Sequence, residues 1–133
     1  MNMNDRGAGL VETALLVPLL LLLFFGVAEL GHAYFVSIRV QEAAQEGVTY
    51  AAINPSDPSG ARTRAVEASS SLPISFANVA VSCPTANRVV VTVSHSVSIV
   101  TPVLSQITGA TINLARSETS AVLSTSSPCI PSP

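Results

Sequence analysis

The chain has 133 residues, which allows one small domain beside one membrane segment. Its 48% apolar content misleads, because much of it lies between Leu10 and Val40; the rest is rich in Ser, Thr, Val and Ala and has no Trp. A net charge of −2 gives no basic footprint, which argues against nucleic acid, and the absence of lysine excludes catalytic or phosphate-binding lysine chemistry.

The first element is a polar leader, Asn2 to Arg6, followed by Gly7-Ala8-Gly9-Leu10-Val11-Glu12 and then an uncharged run, Thr13 to Ala28. A lone carboxylate at the mouth of an apolar helix is costly in a membrane and marks a functional position. Thr13 to Ala28 would be about 24 Å long as a helix, slightly short of a hydrocarbon core of about 30 Å. Extension to Val36 supplies the length and brings in Glu29 and His32, three apart on one face and able to pair. Glu29 and His32 are expected at the outer interface, which Tyr34 also suits. Arg6 weakly favours an N-terminus inside and the bulk of the chain outside. Pro18 interrupts the apolar run, so a kink or local melting is expected there. Two other readings apply to the segment. Gly31-His32-Ala33 is a small-x-small triplet that would permit signal-peptide cleavage after Ala33; an ordinary single-span anchor would leave Gly7 and Glu12 unexplained.

The helix is expected to continue from about Leu10 to Ile53, roughly 65 Å. Val36, Val40, Ala43, Ala44, Gly47, Val48, Ala51 and Ala52 recur near the helical period, with Arg39, Glu42, Glu46 and Thr49 opposite. Asn54-Pro55 stops it. Asp57-Pro58 offers an N-cap and first-turn proline for a short helix over 58–71, with Ala61, Ala65, Ala68 and Leu72 on one side. From Phe76 the period changes to two, predicting strands over about 76–83, 88–100 and 110–123. In the second, Val89, Val91, Val93, His95, Val97 and Ile99 share one face, and a Ser/Thr face opposes them. In the third, a change of phase between Ile112/Leu114 and Ala121/Leu123 suggests a bulge near Arg116 to Glu118. Thr101 to Thr108 would be a connection with room for one helical turn.

Meander order brings the ends of the first and third strands together, and with them Cys83 and Cys129. A disulfide fits an oxidising compartment and would constrain the unfolded chain by roughly 3–4 kcal/mol; two free buried cysteines are the other reading. Without the bridge the tail, Ser124 to Pro133, should be loose. The expected fold is α+β, a long helix packed on a small antiparallel sheet of about three strands, with one short extra helix.

No catalytic constellation is present, and neither a cofactor, a metal site nor a small-molecule substrate is expected. His95 on the valine face reads as a buried, hydrogen-bonded histidine. Glu42 and Glu46 share a helical face, which permits a cation site in principle, but a solvated face beside Arg39 explains them better. There is no glycine-rich phosphate loop and no nucleophile-plus-base motif.

The N-terminal stretch, Arg6-Gly7-Ala8-Gly9-Leu10-Val11-Glu12-Thr13-Ala14-Leu15-Leu16-Val17-Pro18, resembles the start of TadE-like pseudopilins of tight-adherence (Flp/Tad) pili, with Thr13 where an aromatic is usual. The Ala/Gln/Glu-rich helix up to Ile53 continues the resemblance. It implies a leader of residues 1–7 cut between Gly7 and Ala8, a transmembrane and assembly helix over 8–36 and an extracytoplasmic domain over 37–133. It implies a role for Glu12 in recognition and assembly, where it neutralises the new amine of a neighbouring subunit. The implied partners are a prepilin peptidase, other pilins, the inner-membrane assembly platform and membrane lipid. A globular domain beyond the helix fits a minor pilin that primes, tips or bases the fibre, in adhesion, rather than the bulk subunit. The alternative is a membrane-anchored or secreted binding module outside any fibre, working through the Ser/Thr sheet face.

Overall fold

The computed structural model describes residues 3–101, 105–106, 109–124 and 129. One helix, α1 (Met3–Ile53), runs through both halves of the protein. A short helix follows, α2 (Pro58–Ala68), then a 3-10 turn (Phe76–Asn78) and three strands, β1 (Val79–Thr85), β2 (Arg88–Ser98) and β3 (Thr111–Ala121). The strands form one antiparallel sheet in the order β1-β2-β3, with β2 in the centre. This is the α+β arrangement that the change of period from 3.6 to two implies.

The core lies between the outer half of α1 and one face of the sheet. Val36, Val40, Ala43, Ala44, Val48, Ala51 and Ala52 of α1 are buried against Val79 and Cys83 of β1 and Val89, Val91, Val93 and Val97 of β2. The helix stripe is mostly alanine because three elements converge on it. At Gly47 a Cβ would stand 3.1 Å from the Ala65 Cβ of α2, 3.1 Å from Val91 Cγ1 of β2 and 3.2 Å from the Ala61 carbonyl oxygen. Only a residue without a side chain lets α1 pass so close to both neighbours.

Strand β3 runs alongside α1. Arg116 donates to Ser37 Oγ at 2.7 Å, Gln41 donates to Glu118 at 3.4 Å, and the Leu123 amide donates to the Ala52 carbonyl at 2.8 Å. From Glu118 to Leu123 a strand rises about 17 Å, and from Gln41 to Ala52 a helix rises about the same. The two axes are therefore close to parallel, and α1 acts as the spine of the sheet.

Asp57 caps α2. Its Oδ1 accepts from the Gly60 amide at 2.9 Å and from Ser59 Oγ at 2.6 Å, and its Oδ2 accepts from the Tyr50 hydroxyl at 3.0 Å. These bonds, first the one from Ser59, hold the Asp57 carboxyl below its ordinary range. The same carboxylate, as acceptor of the Tyr50 hydroxyl proton, pushes the phenol above its ordinary range. Arg64 lies over the Tyr50 ring, 5.8 Å from its centroid.

Several expected details change. Helix α1 begins at Met3 rather than near Leu10 and passes Pro18 unbroken, so there is no local melting. A proline removes only one bond of the ladder, and the rest of a long helix holds. Helix α2 ends at Ala68, not Ser71, because the buried Ser69 turns its hydroxyl back to the Val66 carbonyl at 2.8 Å and competes with the helical pattern. Residues 76–78 are a turn, held by the Ser75 hydroxyl and amide donating to Asn78 Oδ1, and β1 starts only at Val79. Strand β2 stops at Ser98. The bulge foreseen near Arg116 to Glu118 is absent: β2 and β3 pair in unbroken register from Arg88↔Ala121 to Ser98↔Thr111. The phase never changes. Arg116 and Glu118 sit on the helix-facing side with Ile112 and Leu114, and their polarity disguises the alternation. The irregularity lies in β1 instead, between Ser82 and Thr85.

Cys83 and Cys129 are joined in a disulfide, with Cα atoms 5.8 Å apart. The Cys129 amide also donates to the Ala86 carbonyl, which ties this point of the tail to the β1–β2 hairpin. Most of the tail beyond Ser124, and parts of the Thr101 to Thr108 connection, lie outside the described residues; Ser105 and Gln106 are helical.

Candidate assembly segment

Among the described residues, α1 from Gly9 to Phe25 is exposed throughout. From Leu10 to Leu23 its leucines and valines are exposed, and Phe24, Phe25, Val27 and Leu30 continue the bare surface. A contiguous apolar surface of this size is not left to water by a folded protein. Gly9–Ile53 is long and apolar enough to cross a membrane.

The residues singled out in the sequence all fall at the start of this rod. Gly7 and Gly9 are exposed with open space around them. The backbone of Ala8 is helical, and its side chain lies outside the described residues, as do Met1 and Asn2 of the leader. Glu12 is exposed, about 7.5 Å along the axis from Gly7. Thr13 donates to the Gly9 carbonyl at 2.9 Å and so remains inside the helix. The Gly7–Ala8 bond is thus part of a regular helix, flanked by two residues that each favour the helix by about 1 kcal/mol less than alanine does.

At the other end of the apolar run the structure differs from expectation. Glu29 does not pair with His32. Its Oε1 accepts from the backbone amides of Val100 and Thr101, just beyond β2, and its Oε2 is buried without a hydrogen-bond partner among the described residues. Sequence reasoning missed this link, because its donors are main-chain amides seventy or so positions away. His95 is half-buried rather than buried, and no described residue hydrogen-bonds to its ring. It stands opposite Leu114, toward the end of the sheet where Ser98 pairs with Thr111.

Glu42, Glu46, Arg64 and Glu67 line a shallow groove between α1 and α2, and Glu42 is engaged by Arg39 at 2.9 Å. Among the described residues no three His, Cys, Asp or Glu side chains are grouped to hold a metal ion. The outer face of the sheet is polar: Ser96, Ser98, Thr111, Asn113, Ser117 and Thr119 are exposed, and Thr92 and Ser117 hydrogen-bond across the strands at 2.8 Å.

Residues 7–49 match the family described as TadE-like protein. This segment of the chain is similar to TadE-like proteins. The match covers the bare rod and most of the helical spine but none of α2 or the sheet. It suggests a protein associated with the tight-adherence pilus. No curated protein and no solved structure matches the chain.

Proposed function

We propose that the chain is a minor pilin, or pseudopilin, of a tight-adherence pilus. A prepilin peptidase cuts it between Gly7 and Ala8. The segment 8–36 holds it in the inner membrane with its N-terminus inside, and the domain 37–133 stands outside. With other pilins and the membrane assembly platform it primes, tips or bases the fibre, in adhesion. One observation carries this reading: a bare apolar rod, opened by Gly7 and Glu12 in TadE-like sequence, is continuous with the spine of a folded domain.

Glu12 has a physical task in this scheme. Cleavage frees the Ala8 amine one turn below it, and both charges are expensive in lipid. Pairing Glu12 with the amine of an incoming subunit offsets part of that expense. Until then the helix N-terminus itself favours a negative side chain.

The test is the intact mass and N-terminal residue of the chain isolated from a host with its peptidase genes. A start at Ala8, lost when the peptidase is deleted or Gly7 substituted, supports the proposal. A start at Tyr34 would mean a secreted domain and would end the fibre reading. An uncut chain would favour a membrane-anchored binding module. The exposed Ser/Thr face of the sheet gives that second reading its surface. Substitutions there that abolish adhesion but spare piliation would select it.

A further inference from the structure

Strand β3 shows how far the sheet reaches down α1. Arg116 stands at the level of Ser37, to which it bonds. Thr111 lies five strand positions below it, about 17 Å, which equals the rise of about eleven helix residues and reaches the level of Gly26. By the same count Asn113 stands near Leu30. The contacts agree with this count. Gly26 and Glu29 line one cavity with Ser98 and Ile112, and Glu29 accepts from the Val100 and Thr101 amides. At this end Ser96, Ser98, Thr111 and Asn113 are exposed, and β3 is an edge strand.

Lipid-exposed sheet edges do not occur within the hydrocarbon of a bilayer, and exposed hydroxyl and amide side chains are costly there. For the spanning segment proposed above, on which this inference rests, the hydrocarbon must then stop below Gly26 rather than at His32 or Val36. A core of about 30 Å takes about 20 residues of helix; counted down from Phe25, they reach Arg6. The charges fit the same frame. Arg6 and Glu29 are about 34 Å apart on a helix, and Glu12 is the only charged residue between them.

We propose that the Ser98–Thr111 end of the sheet rests in the lipid headgroup layer of the leaflet on the domain side and sets the depth of α1. That layer, about 5–7 Å thick, spans about four residues of helix above Phe25, which takes in Glu29 and the amides bonded to it. The Ser98 and Thr111 hydroxyls donate there to phosphate and ester oxygens of the lipid. Val100, 84% exposed, and Ile112, 39% exposed, place apolar surface at the boundary with the hydrocarbon. Lipid is the occupant because it already surrounds the bare rod just below this level. Glu12 then lies about 9 Å inside the opposite boundary, where a carboxylate most needs a partner.

The chain has no tryptophan, so single-tryptophan variants report depth. Leu16→Trp, Leu22→Trp, Val100→Trp and Thr119→Trp, all at exposed positions, are made in the full-length protein. Each is reconstituted in phosphatidylcholine vesicles brominated either near the headgroup or near the chain ends. In the proposed frame Leu16 is at mid-bilayer, and Leu22 is about 5 Å below the domain-side boundary. Chain-end bromine should therefore quench Leu16→Trp more than Leu22→Trp, and headgroup-proximal bromine the reverse. Val100→Trp should lose emission to headgroup-proximal bromine only, and Thr119→Trp should lose none. A deepest position at Leu22, or loss at Val100→Trp to chain-end bromine, would put the sheet end in hydrocarbon and overturn the proposal. So would an unquenched Val100→Trp, with the domain clear of the lipid, or a quenched Thr119→Trp, with the sheet lying flat on it. Absence of quenching at both leucine positions would remove the spanning reading as well; the other failures remove this inference alone.

Discussion

Gly47 is the point at which the fold has least tolerance, and its substitution has a worked magnitude. An added Cβ would meet Ala65 Cβ, Val91 Cγ1 and the Ala61 carbonyl oxygen at 3.1, 3.1 and 3.2 Å. None of these is the free end of a long side chain, so α2 or β2 must move by a few tenths of an ångström. Overpacking of this kind costs about 1–3 kcal/mol. Alanine returns about 1 kcal/mol through its better helix propensity. Gly47→Ala should therefore lose about 1 kcal/mol net, whereas Gly47→Leu, with three further carbons and no space for them, should lose more than about 3 kcal/mol. The assay is hydrogen exchange of the full-length chain in detergent, read by mass spectrometry on peptides from β2. The alanine variant should exchange about five-fold faster in Val89 to Val97, while peptides from the exposed apolar half of α1 stay unchanged. If Gly47→Ala instead slows exchange there, the propensity gain outweighs the clash and the three-way close approach is not what fixes glycine at this position.

Further outcomes follow from the same geometry. Gly9→Ala strengthens the helix across the Gly7–Ala8 bond by about 1 kcal/mol, so a peptidase that must unwind that bond should process it about five-fold more slowly in a pulse-chase; unaltered kinetics would mean that the enzyme reads the bond without unwinding it. Reduction of Cys83–Cys129 releases a loop spanning 46 positions and should destabilise the domain by about 4 kcal/mol on the chain-entropy account, seen as a lower urea midpoint in the presence of reductant. Ultraviolet titration of Tyr50 in a Tyr34→Phe background should give a midpoint above tyrosine's usual value near 10, returning toward it when Asp57→Asn removes the accepting carboxylate. The linked stability has both signs. The Asp57 contribution is present above the ordinary carboxylate range and lost as pH falls through its lowered value, while the Tyr50 contribution is present below pH of about 10 and lost as the phenol ionises at its raised one.

The helix and the core were legible because their signals are local and periodic. Every residue assigned to the α1 stripe, from Val36 to Ala52, is buried, and the valines of β2 alternate as their spacing requires. Asp57-Pro58 announced the cap of α2 correctly, since an N-cap bond spans three residues. What failed was set by contacts distant in sequence. Strand β3 is an edge strand, exposed on one face and along its free side, so its inward positions can carry Arg116 and Glu118 without desolvating them. Binary patterning assumes a dry interior face and misread that polarity as a bulge. The pairing of Glu29 failed for a related reason, because proximity along a helix suggested His32 while the actual donors lie past the end of β2. For the assembly segment the sequence supplied its residues and a rationale, and the structure adds that the Gly7–Ala8 bond is helical.

Glu29 links α1 to the end of β2 below the packed core. Below it α1 is bare; above it the helix is progressively covered, through Ala33 to the fully packed Val36 and Val40. The connection from β2 to β3 leaves the sheet at this level, and Glu29 accepts from its first amides, those of Val100 and Thr101. Val100 is 84% exposed, so without that bond water would take up its amide, and what is lost is the charge-assisted bond itself. Glu29 thus serves position rather than chemistry: with the packed stripe from Val36 upward it holds the end of β2 against α1.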